Sequence, residues 1–437
     1  MIDSLFSALV SVNNFIWSYL AFILIVGVGA YFSFRSRFFQ VRKFGAIARS
    51  FFSFFRDKRG NNQGIHPLKA FFAAIGGCIG IGNVVGIVTA VQIGGPGAML
   101  WTWVGGLCGM VIQYAEVYLG LLYRVKNTVG SYDGGPMYFL PKAYKGQWIG
   151  PIICVLLCIY GVEIFMFSVM TDSIALNWEI APIWIVIALL IATFGVALGG
   201  INRVGDVCSA LIPLFVISYM AMIIYVLYIH AADLPGVIRE IFTGAFTAQA
   251  AKGGFAGSSV ALAISMGLSR GAYSGDIGIG YTSVIHAESR TTQFGRQSSL
   301  TIIGIFLDTF VICTLTILLV LTTGQWHSGI DASLMVQESL GLYFPYMHFF
   351  MPFFLFLLGY TTVLAYFVVG IKCAKFLWPK WGPSLYYLYA SIALPLFAFV
   401  DSSRAFVIMS LSGALLLVFN LIGMFLLRKE VVYLLEE

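Results

Sequence analysis

The amino-acid sequence predicts an all-α polytopic membrane protein with eleven transmembrane helices, in which one extra N-terminal helix precedes two inverted five-helix repeats. Three observations support this prediction. Of the 437 residues, 59% are hydrophobic and only 10% are charged, whereas soluble domains average about 25% charged residues. Apolar runs long enough to cross a bilayer alternate with clusters of charge. Two of these runs, five spans apart, are interrupted by glycine-rich segments.

The apolar runs define the candidate spans and the division of the chain. At about 20 apolar residues per membrane-spanning helix, the spans lie at residues 15–34, 68–93, 98–123, 150–171, 183–199, 207–229, 257–285, 298–323, 346–371, 383–401 and 405–427. The predicted regions are an extra helix with a basic connector (1–67), a first repeat (68–229), an extracellular connector (230–256), an inverted second repeat (257–427) and a cytoplasmic tail (428–437).

The distribution of basic residues predicts the orientation. Most of the 25 Lys and Arg residues fall in connectors on one side, including the cluster between Arg35 and Arg59. The positive-inside rule therefore predicts an N-terminus outside the cell and a C-terminus in the cytoplasm. No removed signal peptide is expected, because no basic region precedes the first apolar run. The seven cysteines lie inside apolar runs, which favours packing over disulfides or a metal site at Cys154 and Cys158.

Spans 2 and 7 contain dense glycine segments where a lipid-facing helix should be continuous. The first runs from Gly76 to Gly86 and the second from Gly267 to Gly280. Broken helices in corresponding positions of inverted halves indicate the binding site of a secondary transporter. Helix packing through GxxxG spacing is the alternative, but it does not account for Asn83, Arg270 and Asp276 within the same segments. A nucleotide-binding loop is excluded, because neither a soluble βαβ pattern nor Gly-Lys-Ser/Thr follows.

The two segments have the chemistry that a zwitterionic substrate requires. An unpaired charge at low dielectric costs several kcal/mol, so a carboxylate needs donors and an ammonium needs acceptors. A half-helix that begins in the first segment offers N–H groups and its dipole to the carboxylate, and Asn83 adds an amide donor. In the second segment, freed carbonyls and the Ser274 hydroxyl can accept from the ammonium. The predicted substrate-binding residues are Gly80, Ile81, Gly82, Asn83, Gly271, Ser274, Gly275 and Asp276.

Other intramembrane residues leave alternatives open. Asp276 is either a structural latch that pairs with Arg270 or a coupling site for an ion. Glu116 and Glu163 are interpreted as gate or packing partners, and Asp308 has no evident partner in the sequence. Because aromatic residues form 16% of the chain, packing is favoured over a pocket-lining role for Trp101, Trp103, Phe165 and Phe167. The five His residues show no ligand or triad spacing, so no catalytic residue is assigned.

Several motifs follow one another along most of the chain. They are Gly82-Asn83-Val84-Val85-Gly86, Gly94-Gly95-Pro96-Gly97-Ala98-Met99-Leu100-Trp101-Thr102-Trp103, Gln113-Tyr114-Ala115-Glu116, Gly134-Gly135-Pro136-Met137-Tyr138, Gly199-Gly200-Ile201-Asn202-Arg203-Val204-Gly205 and Gly253-Gly254-Phe255-Ala256-Gly257. In this order they resemble the signature of the alanine/glycine:cation symporter family, also called the sodium:alanine symporter family. The chain departs from that signature at Gly275-Asp276-Ile277 in span 7 and at Met170-Thr171-Asp172 in span 4, which leaves the substrate open.

The resemblance implies a sodium-driven importer of small neutral amino acids in the cytoplasmic (inner) membrane of a prokaryote. It also implies the leucine-transporter-type five-plus-five inverted repeat, with Na⁺ as the co-transported ion, no organic cofactor and no nucleic-acid partner. In that fold the sodium ligands are carbonyls near the first break and hydroxyls on span 9, here Gly76, Thr361 and Thr362. The alternative is that both threonines hydrogen-bond back to their own helix.

Two other functions remain as competing hypotheses. A proton-coupled amino-acid transporter of the same fold, with a different substrate, is favoured if Asp276 titrates. A channel or a membrane enzyme is disfavoured, because the sequence lacks repeated pore-lining polar faces, paired carboxylates and His/Cys clusters at metal spacing.

Overall fold

The computed structural model describes residues 2–56, 64–127, 130–247, 260–399 and 402–435. This part of the chain is mainly helical, and its helices follow the apolar runs of the sequence. One small antiparallel hairpin joins β1 (Val125–Lys126) to β2 (Tyr132–Asp133).

The first half of the chain contains twelve helices in the described residues. They are α1 (Ile2–Phe15), α2 (Phe22–Arg35), α3 (Phe39–Arg42), α4 (Phe44–Phe54), α5 (Pro67–Cys78), α6 (Val85–Gly94), α7 (Ala98–Leu122), α8 (Pro136–Ala143), α9 (Ile149–Tyr160), α10 (Ile164–Trp178), α11 (Pro182–Ala197) and α12 (Gly200–Ile229). A π-helical stretch, Ile16–Ala21, joins α1 to α2, and a 3₁₀ turn, Ile81–Asn83, lies between α5 and α6.

The second half is built in the same way. Its helices are α13 (Leu234–Gly244), α14 (Val260–Ser274), α15 (Tyr281–Ala287), α16 (Phe294–Ile305), α17 (Thr314–Thr322), α18 (Ala332–Gly341), α19 (Met347–Leu377), α20 (Gly382–Ala398) and α21 (Ser402–Leu426). A π-helical stretch, Phe306–Cys313, joins α16 to α17, and a 3₁₀ turn, Gln325–His327, precedes α18.

The described residues contain seven helices that are long and apolar enough to cross a membrane. An eighth span is the pair Pro67–Cys78 and Ile81–Gly94, which is bent by 55°. The other predicted spans correspond to α11, to α14 with α15, and to α20, which are individually shorter than 18 residues. The protein is therefore a multi-pass membrane protein, and the count of eleven spans remains a prediction.

The long helices α7 and α19 form the centre of the bundle. The most apolar stretches of these two helices are 83% and 89% buried inside the protein, whereas the most apolar stretch of α12 is only 28% buried. The helix α12 therefore lies at the periphery of the bundle. The broken pairs α5–α6 and α14–α15 pack against these central helices and against one another. The first pair begins at Pro67, whose missing N–H suits a first helical turn, while His66 Nδ1 accepts the Leu68 N–H at 3.2 Å.

One end of the bundle is held by ion pairs between loops and helix ends. Lys372, near the end of α19, pairs with Asp133 of β2 at 2.8 Å and with Glu288, the residue after α15. Arg124, after α7, donates to the carbonyls of Ala287 and Thr291. This end lies on the side that the basic residues predict to be cytoplasmic.

Candidate functional site

The helix formed by α5 and α6 is interrupted at residues 79–84, here called the first break. The Gly80 N–H donates to Asn83 Oδ1 at 3.0 Å, so the Asn83 side chain caps the turn that starts α6. Glycine is required at position 80 because a Cβ there would lie 2.7 Å from the Thr362 hydroxyl oxygen. The sequence therefore breaks this helix where it approaches α19 closely.

The Asn83 amide group is fully used within the protein. Asn83 Nδ2 donates to Asp308 Oδ1 at 2.6 Å and to Cys313 Sγ at 3.3 Å. The interpretation that Asp308 has no partner is wrong, since Ser274 and Thr309 also donate to it, at 3.3 and 2.9 Å. Asp308 lies in the π-helical stretch before α17 and joins the two glycine segments. The role of Asn83 towards a substrate carboxylate remains a prediction.

The second break comprises residues 275–280, between α14 and α15, and side chains of other helices hold its backbone. Gln113 Nε2 donates to the Gly275 carbonyl at 2.6 Å. The Glu116 carboxylate accepts the N–H groups of Gly280 and Ser283, each at 3.1 Å. Asn420 donates to both Glu116 and the Gly278 carbonyl at 3.0 Å. Glu116 was interpreted as either a gate residue or a packing partner, and these contacts agree with a packing partner.

The latch interpretation of Asp276 is wrong. The Arg270 guanidinium lies over the Phe406 ring, 4.5 Å from its centroid, and forms no ion pair with Asp276. The reason is that α14 stays helical to Ser274, so Arg270 lies on a regular helix rather than in an unwound segment. Asp276 Oδ1 instead accepts a hydrogen bond from the Tyr160 hydroxyl at 3.2 Å.

The contacts of Gly267 and Gly271 agree with the alternative that these glycines serve helix packing. A Cβ at Gly267 would lie 2.2 Å from the Ala98 carbonyl, and one at Gly271 would lie 3.0 Å from Thr102 Cγ2. The Thr102 hydroxyl donates to the Gly267 carbonyl at 3.0 Å. These glycines let α14 approach α7 closely, as small residues do at membrane helix interfaces.

A small cavity lies between the two breaks. Three predicted substrate residues, Gly82, Ser274 and Asp276, line it, as does Thr362. A Cβ at Gly82 would lie 3.6 Å from the Ser274 Cα, an ordinary contact distance, so the two broken helices are neighbours at this point. The remaining lining residues are Gly77, Cys78, Tyr160, Glu163, Met166, Tyr273 and Tyr366. Gly76, Gly80, Ile81, Asn83, Gly271, Gly275 and Thr361 do not line this cavity.

The predicted sodium ligands differ in their contacts. The Thr362 hydroxyl lies 3.1 Å from the Gly76 carbonyl and 3.0 Å from the Leu358 carbonyl, so it joins α19 to the end of α5. The Thr361 hydroxyl contacts only carbonyls of its own helix, at 3.0 and 3.2 Å. Both threonines therefore bond back to their own helix, as the alternative states, but Thr362 in addition contacts the Gly76 carbonyl at the end of α5.

Glu163 was not recognised as a site residue in the sequence. Residues 161–163 separate α9 from α10, and Glu163 lines the cavity with a φ of +51°. The sequence does offer one signal for Glu163, since it is an acidic residue two positions after Gly161 inside an apolar run. Ionisable residues within membrane spans are expected to have a function. Trp101 and Trp103 do not line the cavity. The Trp101 indole N–H donates to the Ala245 carbonyl, and the Trp103 indole N–H donates to the Thr314 hydroxyl.

The fold and the cavity between two broken helices define a secondary transporter rather than an enzyme. A manganese transporter from Eremococcus coleocola has a similar fold, with a TM-score of 0.53 and 11% identity over 80% of this chain and 75% of that chain. This likeness concerns the fold alone and confirms the predicted leucine-transporter-type class. The model of the sodium:alanine symporter family matches residues 2–437, and the chain belongs to this family.

Two relatives cover nearly the whole chain. The sodium/alanine symporter AgcS of Methanococcus maripaludis is 30% identical over 97% of this chain and 94% of its own length. The probable sodium/glutamine symporter GlnT of Bacillus subtilis is 28% identical over 96% of this chain and 87% of its own length. The protein is therefore a secondary amino-acid transporter of the membrane, as the sequence motifs predicted.

Proposed function

We propose that the protein is a sodium-coupled symporter that carries a small neutral amino acid, of the alanine and glycine class, into the cell. It acts in the cytoplasmic membrane of a prokaryote, with its N-terminus outside, by alternating access of the two repeats around the cavity. The names of its relatives support both sodium and a small amino acid. The chemistry of the cavity supports the same assignment independently.

The observation that carries the proposal is the group of oxygens around Thr362. The Thr362 hydroxyl lies at the wall of the cavity, 3.1 Å from the Gly76 carbonyl and 3.0 Å from the Leu358 carbonyl. Hydroxyl and carbonyl oxygens are the ligands that hard cations take in proteins. Gly76 is in the last turn of α5, where the negative end of the helix dipole favours a cation. We assign the sodium site to these oxygens.

The amino acid occupies the cavity beside this ion. The start of α6 lies beyond Gly82, where the positive end of a helix dipole favours a carboxylate. Ser274 and Asp276 on the opposite wall offer acceptors for the ammonium.

Uptake by purified protein in proteoliposomes tests the proposal. Labelled alanine and glycine should accumulate under an imposed sodium gradient and not under a pH gradient alone. Thr362→Val keeps the shape of the side chain and removes one oxygen. A hydrogen bond or ligand of this kind is worth about 0.5–1.5 kcal/mol, so the sodium concentration for half-maximal uptake should rise roughly two- to tenfold.

Thr361→Val is the matched control, because that hydroxyl contacts only its own helix. It should keep the sodium dependence of the unmodified protein. If both variants keep that dependence, sodium is not bound at Thr362. Accumulation under a pH gradient without sodium would instead favour the proton-coupled transporter. That second candidate is supported by one observation, the buried Asp276 Oδ2 with no hydrogen-bond partner among the described residues.

A further inference from the structure

A second cavity lies at the end of the bundle that the basic residues predict to be cytoplasmic. Its volume is about 240 Å³, and it is lined by residues of β2, of α8 and of the end of α19. An engineered cavity of about 150 Å³ admits benzene, so this one has room for a small polar headgroup. The residues proposed for the substrate and for sodium lie elsewhere.

One cation in this second cavity has no acidic partner. Lys372 pairs with Asp133 and Glu288, whereas Lys375, three residues later, forms no ion pair with any described residue. Lys375 nevertheless contributes to lowering the pKa of the Asp133 carboxyl, so its ammonium lies near the same wall. The lining therefore contains two lysines and one aspartate. Its excess of one positive charge attracts an anion.

Charges just outside the lining do not cancel this excess. Glu288 shares Lys372 with Asp133, but the Arg124 guanidinium beside β2 donates to backbone carbonyls and lies over the Tyr132 ring. Arg124 therefore offsets Glu288 without being paired to it. The flanking segments 126–148 and 372–383 contain six lysines and one acidic residue, which is Asp133. The whole face around the cavity is basic.

The other residues of the lining suit an amphipathic ligand. Tyr138 brings a second donor, its hydroxyl, and its ring centroid lies 5.4 Å from that of Phe376. Phe376 and Pro379 form an apolar wall. Trp378 and Trp381, between α19 and α20, are 59% and 62% exposed, and exposed tryptophans are typical of the boundary between bilayer and water. The cavity therefore lies at the level of the lipid headgroups.

We propose that this cavity binds the phosphate group of an anionic phospholipid, with Lys375 and Tyr138 as donors to the phosphate oxygens. Lysine is a common partner of phosphate, and basic pockets between membrane helices on the cytoplasmic side bind anionic headgroups. A phosphodiester carries one negative charge, which balances the excess charge of the lining. The apolar wall contacts the glycerol and the start of the acyl chains. Free phosphate shares the charge but lacks this apolar part.

Lipid bound here stabilises this end of the bundle. Lys372 lines the cavity and holds both Asp133 of β2 and Glu288, the residue after α15. A phosphate between Lys375 and Tyr138 joins α19 to α8 beside these ion pairs. The melting temperature of the protein therefore reports lipid binding, and it does so without any transport.

The experiment measures the melting temperature of the full chain in detergent during titration with lipid. Phosphatidylglycerol is anionic, whereas the choline of phosphatidylcholine brings a positive charge to a basic cavity. We expect phosphatidylglycerol to reach its half-maximal effect at a concentration roughly tenfold lower. Glycerol 1-phosphate and inorganic phosphate lack acyl chains and should have little effect at the same concentrations.

Lys375→Gln tests the cavity itself. It removes the unpaired charge and one charge-assisted hydrogen bond, so the phosphatidylglycerol concentration for the half-maximal effect should rise about tenfold. Lys375→Arg keeps the charge and should retain most of the response. Tyr138→Phe removes only the hydroxyl and should raise that concentration roughly two- to fivefold. It also keeps the test decisive if Lys375→Gln does not fold.

Lys380→Gln is the matched control. Lys380 lies five residues after Lys375 and carries the same charge, but it is exposed and outside the lining, with its ammonium 5.2 Å from the centroid of the Trp381 ring. It should keep the lipid response of the unmodified protein. A response that Lys375→Gln loses and Lys380→Gln keeps supports the proposed lipid site.

Three other results overturn the proposed lipid site. An equal response to phosphatidylcholine shows that the anionic charge is not recognised. An equal loss in Lys375→Gln and Lys380→Gln shows that a general basic surface, rather than the cavity, attracts the lipid. Stabilisation by inorganic phosphate at the same concentrations assigns the cavity to a free anion. Each of these results leaves the proposed symport untouched, because none depends on sodium or on amino-acid uptake.

Discussion

The two broken helices of this transporter stabilise their breaks by different means. At the first break, the side chain of Asn83 caps Gly80 three residues away, so the segment satisfies its own backbone. At the second break, Gln113 and Glu116 of α7 and Asn420 of α21 bond the backbone groups. The first break is therefore stabilised by residues within the same segment, and the second by residues of helices that are distant along the chain.

This difference indicates which parts of each break are available to a ligand. Beside the first break, the Thr362 hydroxyl lines the cavity and contacts the Gly76 carbonyl, so a side-chain oxygen and a backbone oxygen lie together there. At the second break, Gln113 already occupies the Gly275 carbonyl, which the sequence predicted as an ammonium acceptor. The second break therefore presents side chains, Ser274 and Asp276, to the cavity. We infer that a ligand in the cavity meets mainly side chains at the second break.

The largest expected effect comes from removing the support of the second break. Glu116→Ala leaves the N–H groups of Gly280 and Ser283 without their acceptor and removes one of the two acceptors of the Asn420 amide. Each unsatisfied buried group costs about 1–3 kcal/mol, so the loss should reach several kcal/mol and little folded protein should be recovered. The measurement is the yield and melting temperature of detergent-solubilised protein.

Glu116→Gln and Glu338→Ala are the controls for this prediction. Gln keeps one acceptor oxygen and should give an intermediate melting temperature. Glu338 is exposed on α18, so its removal should leave the melting temperature unchanged. A Glu116→Ala protein as stable as the unmodified one would show that the second break does not need α7.

A smaller effect is expected at the first break. Asn83→Ala removes the cap on Gly80 and the donor that lies 2.6 Å from Asp308. The expected cost is about 1–3 kcal/mol. Thermal stability and substrate affinity should be measured together. If Asn83 only supports the break, the free energies of unfolding and of substrate binding should fall by similar amounts. If Asn83 contacts the substrate carboxylate directly, the free energy of substrate binding at saturating sodium should fall by more than the free energy of unfolding.

Asn177→Ala provides a comparison away from the cavity. Asn177, near the C-terminal end of α10, donates to the Ser173 carbonyl and accepts from Gln337. Its removal also costs two hydrogen bonds but should not change substrate affinity. An Asn83 variant that behaves like this control would overturn the predicted role of Asn83 in binding.

The sequence predicted the positions of both breaks because their signals are local. Dense glycines and polar residues inside an apolar run can be recognised without knowing what packs beside them. Thr362 was identified through the family resemblance, and only the structure separates it from Thr361, since one residue of helix rotation decides which hydroxyl faces α5. Ser274 was likewise identified, and it lines the cavity.

The remaining features of the site depend on contacts between distant parts of the chain. Asn83 and Asp308 are 225 residues apart, and Glu116 and Gly280 are 164 apart, so neither contact follows from spacing. The incorrect Arg270 latch came from placing the start of the break too early, before α14 ends. Glu163 was interpreted as a gate or packing partner and not as a substrate residue, because a helix bend with a single glycine gives a weaker signal than a dense glycine segment.

The smallest expected effect concerns the ends of the two broken helices that lie away from the breaks. Lys372 holds Glu288, directly after α15, and Asp133, in an ion-pair cluster whose side chains are at most 23% exposed. The corresponding pair at the first broken helix joins Lys69 of α5 to Asp206, whose side chain is 53% exposed. Asp133→Asn should cost about 1–2 kcal/mol, and Asp206→Asn less than about 0.5 kcal/mol, since exposed pairs contribute little.

The effect of Asp133 should also depend on pH. Burial raises the pKa of the Asp133 carboxyl, but the Lys372 ammonium, together with Asn127 and Lys375, lowers it by more, so this pKa lies below its ordinary value of 3.8. A carboxyl with a lowered pKa stabilises the folded state above its unfolded pKa, and this stabilisation is lost as the pH falls through the folded pKa. The difference in melting temperature between the unmodified protein and Asp133→Asn should therefore be constant near neutral pH and shrink below about pH 4. A difference that is the same at pH 7 and pH 3, or one no larger than that of Asp206→Asn, would show that the second broken helix is held at its outer end no more firmly than the first.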